Sequence, residues 1–214
     1  MPAWVGPQNE SFVAEEIMDG CRMAMQQFDI ENLTSLGITS SIRGEGRTTL
    51  ALATALVLAE YGLKVALLEL DLARPELAHR LGVSRSPGVG DLAEGRASLS
   101  DTMRPVIADL MLMPAGQLHG SVPRALREFA SSGAIDSLRA QGHVVVADLP
   151  PLVGNSIGRQ ATSLMADVIL VVRAGAVQAS TIKEAVDGLP VAPRVLLNGT
   201  HSKVPSWALR LTGI

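Results

Sequence analysis

Six strand-length segments, most of them apolar and separated by stretches of helical composition, constrain this chain more than any other feature. They cover residues 36–40, 65–70, 110–113, 144–147, 168–172 and 194–197. The run at 65–70 is broken only by Glu69, and the one at 144–147 has no polar residue. A strand with one solvated face would alternate apolar and polar side chains, so continuous runs imply strands covered on both faces. Between them, Val13, Ile17, Cys21 and Met25 recur every four residues within a predicted helix at 11–28. A second helix, rich in Ala and Leu, is predicted at 48–61, with Gly62 as its stop. Further helices are expected at 76–81, within 123–141 as one or two pieces entered at Ser121 and Pro123, and at 181–189. A turn-rich stretch passes through Gly88 and Gly90. This alternation predicts an α/β fold, a mostly parallel sheet with helices on both faces. Ligands in such sheets bind at the carboxyl ends of the strands.

With 214 residues, the chain is read as a single domain: a helical segment at 1–34, a core at 35–200 and a tail at 201–214. Aromatic residues are only 3%, so the core must be aliphatic. A net charge of −3 without a basic stripe argues against nucleic acid as a partner. One cysteine, no signal-peptide pattern and no long uncharged apolar run make a cytoplasmic protein the expectation.

The strand at 36–40 runs into Ser41-Ile42-Arg43-Gly44-Glu45-Gly46-Arg47-Thr48-Thr49, and a helix follows. This is the setting of a phosphate-binding P-loop, G-x-x-x-x-G-K-[ST], with Ser41 for the first glycine and Arg47 for the lysine. Gly44 and Gly46 leave room for backbone N–H groups to turn toward phosphate oxygens, and the helix N-terminus adds attraction for anions. Thr48 is placed to offer a hydroxyl to a metal. The same glycines also suit a dinucleotide turn, with Glu69 as its acidic residue. Thr49, however, stands where that motif needs its third glycine. Asp71 and Asp148 each follow an apolar strand, and together with Thr48 they form a candidate Mg²⁺ set if their strands are neighbours.

These segments resemble a known family. Leu67 to Pro75, with Asp71, Arg74 and Pro75, is similar to the second acidic motif of the bacterial tyrosine kinases, usually two aspartates followed by Arg-Pro. Residues 39–49 resemble their P-loop, and Val144 to Pro151 their third motif. Residues 166–175 and 195–198 resemble later family strands, and order and spacing agree from about Glu15 to Asn198. The wider group is the deviant P-loop ATPases, which includes chromosome-partition and division-site-placement proteins. Ile42 stands where the partition group has an extra signature lysine, so the polysaccharide-linked kinases are nearer.

The resemblance implies a three-layer P-loop NTPase sandwich, binding of ATP and Mg²⁺, and self-association. It also implies a partner, a membrane-embedded regulator of capsule or exopolysaccharide chain length, and hence a place at the inner face of the membrane. Carried over by position, Arg43, Gly44, Glu45, Gly46, Arg47, Thr48 and Thr49 would hold phosphates. Thr48, Asp71 and Asp148 would hold the metal, with Arg47, Asp71 and Asp148 catalytic. Asn198 would contact the adenine, with Arg173 near the base.

The departures are specific. Arginine is a planar fork and does not substitute freely for an ammonium at a tight site. The chain has three lysines against fifteen arginines, so compositional drift also explains Arg47. Glu69 replaces the first aspartate of the acidic motif and is expected to reach the metal region through water. The kinases' ring-forming helix, with a glutamate and two arginines, is represented only by Asp19, Arg22 and Met25, which favours a dimer over a ring. The kinases' terminal tyrosine cluster is absent, and the sole tyrosine is Tyr61. The expected activity is therefore weak or regulated ATP hydrolysis, with water as acceptor. The alternatives are a non-catalytic nucleotide-dependent module and a partition-type positioning ATPase. His79, His119, His143 and His201 lack metal-ligand spacing, and Cys21 reads as core. Trp207, Leu209 and Leu211 suggest a tail docked on its own domain rather than on a membrane.

Overall fold

In the computed structural model, which describes residues 12–199, all six segments form strands of one sheet. The tail at 201–214, with His201, Trp207, Leu209 and Leu211, lies outside the described residues, as do residues 1–11. The strands are β1 (Ser35–Ser40), β2 (Lys64–Glu69), β3 (Arg104–Ile107), β4 (Leu110–Met113), β5 (His143–Asp148), β6 (Asp167–Arg173) and β7 (Arg194–Asn198). Their order is β3-β4-β2-β5-β1-β6-β7. All neighbouring pairs are parallel except β3 with β4.

The helices are α1 (Glu15–Met25), α2 (Arg47–Glu60), α3 (Leu77–Arg80), α4 (Val89–Ala93), α5 (Leu99–Thr102), α6 (Val122–Ser131), α7 (Ala134–Ala140), α8 (Ser156–Thr162) and α9 (Ala179–Val186). The predicted helix at 11–28 is shorter than its apolar spacing suggested. Its buried residues Met18, Cys21 and Met25 remain on one face. The stretch at 123–141 divides at Gly133, whose φ of 70° caps α7. Sequence reading missed α4, α5, α8 and β3. Three of these are helices of seven residues or fewer, too short to show a period. β3 carries Pro105, which only an edge strand accommodates readily.

Side chains along the buried strands still alternate, but between two cores rather than between core and water. Val65, Leu67, Val144, Val146, Ile169 and Val171 face the layer of α1, α2 and α3. Ala66, Leu68, Val145, Ala147 and Val168 face the layer of α4, α6, α7 and α8. A smaller cluster of Leu152, Leu170, Val172 and Ala185 seats α9. The result is the expected three-layer α/β sandwich. The sheet reverses its direction of winding beside β1, between β5 and β6, and the loop following β1 lies at that crevice.

Candidate functional site

Strands β2, β5 and β1 lie side by side, which is the condition the acidic pair required. Asp148 is level with Glu69 on one side and Ile38 on the other. Asp71, two residues past Glu69, therefore meets Asp148 and the start of α2 at the carboxyl edge of the sheet.

The loop between β1 and α2 is held from within. Gly44 and Gly46 have φ of 83° and 92°, a region side-chain-bearing residues rarely adopt. A Cβ on Gly46 would also stand 2.3 Å from Asn198 Nδ2. Glu45 is 1% exposed and acts as a strut. Its carboxylate accepts from the backbone N–H of Ile42 at 2.8 Å and of Arg173 at 3.0 Å, while its carbonyl accepts from Asn198 Nδ2 at 2.8 Å. Ser40 Oγ donates to the Ile42 carbonyl at 2.6 Å. Three predicted ligand contacts, Glu45, Arg173 and Asn198, thus join one another and tie the loop to the ends of β6 and β7. No local pattern signals this strut, because it links residues 128 and 153 positions apart. Thr49 Oγ1 accepts from Arg80 at 2.9 Å, outside the curve of the loop, and Arg43 is exposed.

Arg47 lies across both aspartates. Its Nε donates to Asp148 at 3.0 Å and its Nη2 to Asp71 at 2.6 Å. The three side chains are only 11%, 3% and 2% exposed for Arg47, Asp148 and Asp71. Burial pushes the Asp148 carboxyl up to about 7; Arg47 and the neighbouring Thr48 hydroxyl pull the other way, and the charges of Asp71 and Glu69 add to the rise. A hydroxyl and two carboxylates are the donors a hard divalent cation takes. Here one oxygen of each aspartate is taken by Arg47, so a cation entering between them would compete with the guanidinium.

Glu69 does not serve the metal region, against the sequence expectation. Its two oxygens accept from the backbone N–H groups of Leu77 and, at 3.0 Å, Ala115. The extra methylene turns the carboxylate toward the starts of α3 and the β4 exit, where it pins backbone. Beside Asp71, a cavity of about 630 Å³ opens between Ile42, Arg43, Leu72, Pro150, Pro151 and Ile157.

No family model matches the chain. It is 25% identical over 200 residues to the tyrosine-protein kinase CpsD of Streptococcus agalactiae, covering 90% of this chain and 86% of that one. An uncharacterised ATP-binding protein of Methanocaldococcus jannaschii is 26% identical over 121 residues, 56% of this chain; the match spans only about half, 46%, of that relative. Among solved structures, the VpsO kinase domain superposes with a TM-score of 0.75 at 26% identity, covering 87% of this chain and 97% of that one. The kinase domain of the Escherichia coli tyrosine kinase ETK gives 0.82 at 19% identity, covering 94% and 84%. The septum site-determining protein MinD of Pyrococcus horikoshii, solved with Mg-ADP, gives 0.63 at 22% and supports the fold alone. The chain is thus similar to the bacterial tyrosine kinases and shares the fold of their kinase domains. Its departures from their motifs cluster at one place: Arg47 and Glu69 both alter the acidic side of the loop, and both have found partners inside the protein.

Proposed function

We propose that this chain binds ATP in the curve of the loop at 41–49 and hydrolyses it slowly, with water as acceptor. One observation carries the binding claim. Among the described residues, the only buried side-chain polar atoms without a partner are Ser41 Oγ and Arg47 Nη1, and both belong to the loop. Folded proteins rarely leave such groups unpaired, so two in one loop point to a ligand rich in acceptors. Relatives described as ATP-binding and as kinases support the choice of nucleotide. Slow turnover follows from Arg47. A guanidinium held by two carboxylates is less free than an ammonium to follow charge developing on a transferring phosphoryl group.

Self-phosphorylation of Tyr61 within one chain is left out of this reading. Tyr61 caps the far end of α2, roughly 20 Å from the loop at 1.5 Å per helical residue. The reading extends to a role at the cytoplasmic face of the membrane, with a chain-length regulator of exopolysaccharide or capsule assembly as partner. Among the described residues no helix is long and apolar enough to cross a membrane.

Equilibrium titration with labelled ATP tests the binding claim. Saturation is expected at or below millimolar nucleotide and should be lost in Gly46→Val; no saturable binding by the unaltered chain would overturn it. The engagement of Arg47 favours a second reading, a non-catalytic nucleotide-dependent module. Steady-state phosphate release separates the two: turnover abolished by Asp148→Ala marks an ATPase, and none above a blank marks the module.

A further inference from the structure

We propose that Arg47 takes the place of the divalent cation, so that this site binds its nucleotide without magnesium. The proposal rests on the ATP-binding reading and adds to it what neutralises the phosphates.

In a P-loop site the divalent ion bridges two sets of oxygens, those of the nucleotide and those of the hydroxyl and carboxylates around it. Arg47 already has the protein half of that arrangement. Nε and Nη2 reach the carboxylates of Asp148 and Asp71 at 3.0 and 2.6 Å. Nη1 is buried and has no partner. A guanidinium is planar, so fixing Nε and Nη2 on two carboxylates also fixes the line along which Nη1 can donate. The unpartnered nitrogen is on the residue that opens α2, directly after Gly46. Nη1 is covered in the free protein, so a phosphate oxygen meets it once the loop opens locally around it. A lysine ammonium has no such rigid fork.

Glu69 is lost to a metal, because its carboxylate is turned onto the backbone of Leu77 and Ala115. Among the described residues no group of three or more His, Cys, Asp or Glu is placed to hold a metal ion. A divalent cation entering beside Asp71 and Asp148 would also meet a fixed positive charge within hydrogen-bond range of the same oxygens, where like charges repel strongly. Glu69 and Arg47 are thus a matched pair of departures. One removes a carboxylate from the metal region, and the other adds a cation to it.

The test is ATP affinity measured in excess EDTA and in millimolar magnesium, for the unaltered chain and for Arg47→Lys. The unaltered chain should bind with affinities equal to within about threefold in the two conditions. Arg47→Lys should bind at least about tenfold more tightly in magnesium than in EDTA. A drop of tenfold or more for the unaltered chain in EDTA overturns the proposal and leaves ATP binding intact. Absence of binding in both conditions overturns the ATP-binding reading itself. An Arg47→Lys variant that binds ATP and is as indifferent to magnesium as the parent overturns the assignment to Arg47.

Discussion

At the scale of single residues, Arg47 holds the acidic side of the site together. Two buried carboxylates share its charge, and removing it leaves them facing each other in a poorly solvated place. Arg47→Ala should therefore destabilise the fold by about 3–5 kcal/mol, read by urea denaturation. A loss below about 1 kcal/mol would show that the two ion pairs contribute little. The sequence exposed Arg47 as a departure from the P-loop pattern but not what it does. Its partners lie 24 and 101 positions away and become neighbours only when β2 and β5 pair. Glu69 departs from its expected role for a related reason. Sequence position put it in the acidic motif, whereas the direction of its carboxylate is set by two backbone N–H groups that only the folded loops present.

At the scale of elements, the loop after β1 is legible where its chemistry is local and hidden where it depends on other strands. Glycine spacing and the following helix revealed the loop itself. The Glu45 strut, reaching to β6 and β7, was invisible. Glu45→Ala removes the acceptor of two backbone N–H groups. It should cost about 1–3 kcal/mol and weaken ATP binding as well, because the loop loses its tie to Arg173. Unchanged affinity in a folded variant would show that the loop is rigid without the strut.

A second buried carboxylate, Asp91 on α4, fastens another connection. It accepts from the backbone of Gly88 and Gln117, from Ser86 Oγ and from Arg96. Burial alone would raise its pKa, but these four donors together hold it below the usual carboxylate range. A lowered folded-state pKa contributes stability that is present above the unfolded value, near 4, and is lost as pH falls through the folded value. Asp91→Asn should be less stable at neutral pH, and its stability should fall less on acidification than that of the parent. Parallel losses in the two proteins would remove Asp91 from the account.

At the scale of the whole molecule, the fold was the most legible level. Continuous apolar runs indicated a sheet covered twice, and the sheet places its crevice beside β1. What remained hidden were the short helices and the antiparallel edge strand, whose few residues carry no period. Assembly belongs to this scale too. Arg22 on α1, which matches the kinases' ring-forming helix only by position, is bound to Glu15, Asp19 and Glu60 of its own chain. With that arginine engaged internally, sedimentation is expected to show a dimer at most. A closed ring in solution would contradict this, and Arg22→Glu would then be the variant to compare.

The central claim is that phosphates lie in the loop and meet Arg47 where it already stands. A crystal structure of the chain with ATP tests this most directly. The account predicts phosphate oxygens within hydrogen-bond distance of Arg47 Nη1 and the N–H groups of residues 44–48, with Nε and Nη2 still on Asp148 and Asp71. Nucleotide bound away from the loop, or a loop left empty at saturating ATP, would contradict it.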